Sequence, residues 1–167
     1  MAAMKIVPPA LFLLLAFPAA AAYDANGVPL GGSEKDVKKN FPGIYCKPLE
    51  WASRAADRRC DDAKVSFGGI ESRITFYLRK DVVQAFDLRF DTKDLERVTA
   101  FLKKRYGEPQ SETKDAIQRE GKPGTQVYKA LWEGKEERAA LVSRSDDRRG
   151  SLLVSRGNFE EEIYKVR

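Results

Sequence analysis

The chain has 167 residues, 30 of them basic and 25 acidic, and no histidine. Without histidine there is no Ser-His-Asp triad, no Cys-His nucleophile pair and no H-E-x-x-H zinc helix. The formal charge of +5 is interleaved along the chain, as in Lys93-Asp94 and Glu136-Glu137-Arg138, whereas a nucleic-acid binder gathers basic residues on one face.

Residues 1–22 have the layout of a secretory signal peptide. Lys5 supplies the positive start, Leu11 to Leu15 the apolar centre, Pro18 a helix breaker, and Ala20-Ala21-Ala22 the small residues of a cleavage site. The apolar stretch is shorter than the 20 or so residues a transmembrane helix needs, and no other stretch is apolar enough to serve as an anchor. Cleavage after Ala22 leaves Tyr23–Arg167 as a single domain released into the periplasm or the medium. No cysteine follows the cleavage point to take a lipid.

After an extended lead-in to Leu30, Ser33 and Asp36 form an S-x-x-D start, and Val37 and Phe41 share one helical face. This predicts a short helix ended by Pro42-Gly43. The only two cysteines, Cys46 and Cys60, bound a charged loop in which Trp51, Ala55 and Ala56 suggest a helical turn. Redox pairs sit two residues apart, and a structural zinc site needs more cysteine and histidine than this chain has. An exported chain meets an oxidising compartment, so Cys46 and Cys60 are expected to pair. Closing a loop of about 15 residues adds about 3 kcal/mol of stability.

Residues 73–78 and 82–90 alternate with period two, apart from Gln84, and predict an antiparallel hairpin with one buried face. In the next segment Leu95, Val98, Leu102 and Tyr106 recur at helical spacing, and Gly107 and Pro109 stop the helix. Residues 108–124 are polar, with glycines and prolines, and read as a long loop. Three strands are expected over 125–132, 138–144 and 151–156, with a tail that fits either a short helix or an edge strand. The sum is an α+β domain of order α-β-β-α-β-β-β, with a single antiparallel sheet of about five strands and helices on one face.

No catalytic constellation, cofactor motif or metal-ligand spacing emerges. Ser111-Glu112-Thr113-Lys114 matches S-x-x-K but lacks the companion S-D-N and K-T-G segments. The acidic pairs Asp61-Asp62 and Asp146-Asp147 are sequence neighbours, not carboxylates facing each other across a cleft. What remains is a surface. Tyr77, Arg79 and Arg89 fall on the hairpin face away from the helices, and Tyr128 and Trp132 share one parity of a later strand. Tyrosine, tryptophan and arginine are the residues enriched in interface hot spots, so these five are the candidate partner-binding residues. They form one patch only if Tyr77 and Trp132 lie on the same face.

The stretches "GGSEKDVKKNFPGIYC", "ITFYLRKDVVQAFDLRFD", "LKKRYGEP" and "ALWEG" together resemble small exported bacterial proteins of unassigned function. A more distant likeness is to the small outer-membrane assembly lipoproteins and the β-lactamase-inhibitor-like fold, although this chain lacks the lipidated cysteine. The resemblance implies a short helix before a sheet and brings no activity. The resulting expectation is a non-catalytic interaction module, needing no cofactor, whose partner is another envelope or secreted protein. Two other classes stand beside it: an enzyme inhibitor presenting residues 108–124, and a small hydrolase working through carboxylates or Ser111.

Overall fold

The computed structural model describes residues 23–165; the expected signal peptide lies outside them. Strands β1 (Asp24–Ala25) and β2 (Val28–Pro29) form a small ribbon, followed by helix α1 (Glu34–Asn40). Strands β3 (Tyr45–Pro48), β4 (Arg58–Phe67), β5 (Ile70–Arg79) and β6 (Val82–Asp91) then run as a meander. Helix α2 (Leu95–Tyr106) precedes a second meander of β7 (Ser111–Arg119), β8 (Lys122–Glu133), β9 (Glu137–Arg144) and β10 (Arg149–Arg156), and helix α3 (Phe159–Glu162) closes the chain. The two meanders join along β6 and β10 into one antiparallel sheet of order β3-β4-β5-β6-β10-β9-β8-β7.

The expected α+β architecture with about five strands is therefore corrected. The described residues are mostly β, at 53% strand and 18% helix, and form a main sheet of eight strands beside the two-stranded ribbon. The five expected strands are β5, β6, β8, β9 and β10. The additional strands lack the apolar alternation that marks a half-buried strand: β3 has only four residues, and β4 and β7 are rich in charge. Helices also occupy both faces: α1 and α2 cover one, and α3 packs on the other.

Local chemistry accounts for the elements that position the rest. Ser33 accepts from the Asp36 backbone N–H while the Asp36 carboxylate accepts from the Ser33 N–H, which is a complete capping box for α1. Gly68-Gly69 and Lys80-Asp81 are two-residue turns with positive φ throughout, the conformation that matches the twist of a hairpin. At Gly68 a Cβ would stand 2.6 Å from the ring of Phe101 on α2, so the missing side chain lets the helix settle on the turn. Gln84 breaks the alternation because it is a bulge: Tyr77 pairs with Ala85 and Leu78 with Val83, leaving Gln84 as the extra residue. The bulge puts Val83, rather than Val82, into the core.

The main core lies between the sheet and helices α1 and α2. Phe76, Phe86, Leu88, Phe90, Leu102 and Trp132 are among its large, fully buried members, each contributing about 1.5–3 kcal/mol of burial. At the seam between the meanders Leu88 faces Leu152, and Phe90 lies against Gly150, where a Cβ would be 2.3 Å from the ring. A Gly150→Ala variant forces Phe90 out of its place. Its expected cost is about 1–3 kcal/mol, read as a lowered urea midpoint; an unchanged midpoint would show that the seam can repack.

Candidate functional site

The face opposite α1 and α2 carries the polar and chemical interest. Backbone register fixes which side chains line up there. One row crosses all eight strands as Ser111, Leu131, Ala140, Leu153, Asp87, Thr75, Asp61 and Tyr45. A neighbouring row runs from Arg138 through Ser155, Ala85 and Tyr77 to Arg59.

Half of this face is covered. The Cys46–Cys60 disulfide joins directly opposed residues of β3 and β4, and the segment it closes folds back over the sheet. Ala55 and Ala56 from that segment, Ala85 from β6, and Phe159 and Ile163 from the C-terminal turn form a second small core. Trp51 pins the two covering pieces together: its indole N–H donates to the Ile163 carbonyl at 2.9 Å, and its ring stacks on Tyr164 with centroids 6.1 Å apart. The Ser53 hydroxyl donates to the Glu162 carbonyl at 3.2 Å. The disulfide thus anchors the base of a lid over half of the sheet.

Over β7, β8 and β9 no described element covers the sheet. A hollow of about 420 Å³ lies there, bounded by Thr113, Lys129, Leu131, Arg138, Ala140 and Val142. Val142, 38% exposed, stands beside half-buried Leu131 and Ala140. Between the two halves a smaller hollow of about 270 Å³ is bordered by Tyr77, Asp87, Arg89 and Leu153 and by Phe159 and Tyr164 from the lid.

The five sequence candidates separate. Tyr77 and Arg89 border the smaller hollow; the Tyr77 ring sits 5.4 Å from Phe159, and Arg89 pairs with Asp87 at 2.8 Å. Arg79 lies elsewhere, in a hollow with Arg54 and Arg156. Tyr128 and Trp132 are on the other face, buried beneath α2. Trp132 donates to the Gly107 carbonyl at 2.7 Å, and the Tyr128 hydroxyl donates to Glu112 at 2.8 Å. Tyr77 and Trp132 lie on opposite faces, so the five do not make one patch. Leu131, Ala140 and Val142 are not among the sequence candidates. Their only signal is that "TQVYKALW" and "RAALVSR" are both apolar at both parities of a strand.

Asp61 and Asp87 on this face are already engaged. Asp61 accepts from Arg59 at 2.6 and 2.8 Å and from the Thr75 hydroxyl at 2.7 Å, and Asp87 accepts from Arg89 and from the Ser151 hydroxyl. Burial works to raise the pKa of Asp61, but the hydrogen bonds from Arg59 and Thr75 outweigh it and hold the carboxyl below its ordinary value of 3.8. A general acid needs the opposite shift. A carboxylate with a depressed folded pKa stabilises the fold above its unfolded pKa and loses that contribution as pH falls through the folded value. Asp61→Asn is therefore expected to flatten the decline in stability below pH 3.8. Urea midpoints measured from about pH 5 down to about pH 2 check this, and an identical acid limb in both proteins counts against it.

Ser111 and Lys114 do not form a nucleophile and base. They lie three apart on β7, so the alternation of a strand sends them to opposite faces. The Lys114 ammonium instead lies 5.9 Å from the centroid of the Tyr128 ring. Glu34 comes close to the sulfurs of Cys46 and Cys60, but those sulfurs are bonded to each other and Glu34 is paired with Lys38 and Arg58. This grouping offers no thiolate to a metal.

No described helix is long and apolar enough to cross a membrane. The chain matches no protein-family model, no curated protein and no solved structure.

Proposed function

We propose that this chain is an exported protein, cleaved after Ala22 and released into the periplasm or the medium, that binds another envelope or secreted protein through the uncovered half of its second sheet face. The disulfide supports the compartment, since such bonds persist where thiols are oxidised. The observation that carries the binding reading is the apolar group Leu131, Ala140 and Val142, left bare on β8 and β9 while the lid covers the equivalent area on the other half. Lys129, Arg138 and Thr113 rim it with polar groups, the arrangement of an apolar centre and polar border found in protein interfaces.

A second reading, an inhibitor that inserts into a partner's cleft, is favoured by the β7–β8 hairpin. The pairing of β8 with β9 ends at Val127 and Arg144, while β7 and β8 continue together to Arg119 and Lys122, so the hairpin tip extends past the neighbouring strand.

Crosslinking in the native envelope with three variants separates these readings. On the face reading, Val142→Glu loses the captured protein, while deletion of residues 119–122 and Lys64→Glu on β4 retain it. On the inhibitor reading, the deletion loses it and Val142→Glu does not. A partner captured equally by all three variants leaves neither surface responsible.

A further inference from the structure

Three arginines from three separate segments line one hollow of about 200 Å³ at the end of the sheet. Arg54 comes from the disulfide-closed lid, Arg79 from the end of β5 and Arg156 from the end of β10. A guanidinium stays protonated at any physiological pH, so the three charges cannot be relieved by titration. The hollow contains one carboxylate, Glu162, which is already paired with Lys165 at 2.9 Å and more loosely with Arg54 at 3.8 Å. Among the described residues neither Arg79 nor Arg156 has a salt-bridge partner. Both are half-buried. Arg59, Arg89, Arg97 and Arg144 each sit beside an acid, and Arg73, Arg148 and Arg149, which do not, are exposed, so two half-buried arginines without an acid in one hollow stand apart.

We propose that this hollow binds a phosphate group. A phosphate monoester carries close to two negative charges and three terminal oxygens, which matches an excess of two positive charges among the lining residues better than a single carboxylate does. Guanidinium forks pair two N–H groups with two phosphate oxygens, and the Asn158 side chain is at hand as a neutral donor. Because Arg54 belongs to the lid, occupation of the hollow joins the lid to the ends of β5 and β10 and stabilises that closed arrangement. The site is independent of the bare β8–β9 face, and neither reading depends on the other.

The test uses the full mature protein with its disulfide intact. Titration with inorganic phosphate, followed by calorimetry, is expected to show saturable one-to-one binding. Arg79→Gln and Arg156→Gln each weaken it by about tenfold or more, the loss expected for a charge-assisted hydrogen bond. Arg97→Gln, remote on α2, leaves it unchanged. Phosphate also raises the melting temperature of the wild type and not of Arg79→Gln, a comparison made within each protein, so lowered stability of the variant does not confuse it. Vesicles containing phosphatidate, against phosphatidylcholine alone, separate the sources of the group: retention that needs Arg79 supports a lipid headgroup, and binding of free phosphate without retention supports a soluble phosphate ester. No saturable binding of either probe, or binding that Arg79→Gln and Arg156→Gln leave unchanged, overturns the proposal.

Discussion

Replacing Trp132 with alanine lowers the stability of the protein by about 3–5 kcal/mol, the range for removing a fully buried aromatic side chain. The side chain is 1% exposed and joins three parts of the fold. Its N–H donates to the Gly107 carbonyl at the end of α2, at 2.7 Å. Its ring meets Tyr106 edge-on at 6.2 Å. Tyr106 in turn donates to the Asp24 carbonyl at 3.1 Å and packs on Tyr23 at 4.7 Å, so the N-terminal ribbon hangs from the same cluster. Burial of Tyr106 pushes its hydroxyl pKa well above the ordinary value, which keeps that donor protonated. A domain of this size holds about 5–15 kcal/mol in total, so truncation consumes a large share. Trp132→Phe keeps most of the ring volume but leaves the Gly107 carbonyl without its indole donor, at a smaller cost of about 1–3 kcal/mol. Urea titrations of the three proteins check the order wild type, phenylalanine, alanine, and an alanine variant within about 1 kcal/mol of wild type contradicts this account. Substituting Trp132 thus reports on folding, whereas Val142→Glu tests the proposed partner-binding face.

The parts of the fold legible in the sequence are those with one apolar face. Helix α2, the β5–β6 hairpin and the capping box of α1 each combine hydrophobic period with a start or stop residue, and each forms where expected. Strands β4 and β7 were hidden for a different reason. β7 is an edge strand whose residues Glu112, Lys114 and Asp115 face water, and charge on an edge is how sheets avoid pairing with other chains. In β4 the run Arg58-Arg59-Cys60-Asp61-Asp62 reads as a loop because its charges are met only in the fold, Arg58 by Glu34 of α1 and Arg59 by Asp61. The lid was equally hidden. Nothing local in Trp51 indicates that its indole meets a carbonyl 112 positions away, and without the lid the difference between covered and bare halves of the sheet cannot be read. The rows across eight strands, which determine where Tyr77 and Trp132 point, depend on register set by turns and by the Gln84 bulge.

Removing the disulfide costs about 3 kcal/mol by restoring freedom to the unfolded chain, and its effect in the native state is concentrated in the lid. Cys60 is completely buried in the main core, so Cys46→Ala with Cys60→Ala is the appropriate variant; serine would add a buried hydroxyl in apolar surroundings. With the bridge intact, the segment between β3 and β4 leaves the sheet as a closed loop and has little freedom to gain. Without it, the same segment opens with its full chain entropy, and Trp51, Ser53, Ala55 and Ala56 lose their anchorage together. Because Trp51 donates to the Ile163 carbonyl and Ser53 to the Glu162 carbonyl, the C-terminal turn opens with the lid. Amide exchange in the double variant therefore rises first over residues 49–57 and 159–165, while β8 and β9 keep their protection until global unfolding. Emission from Trp51 shifts to the red in the same conditions, whereas Trp132 in the core is unaffected; Trp51→Phe in both backgrounds assigns the signal. Exchange that rises evenly across the sheet would mean that the disulfide acts on the unfolded chain alone and holds no lid. If the lid opens as described, Arg54 leaves the company of Arg79 and Arg156, and the arginine hollow loses phosphate affinity along with the disulfide.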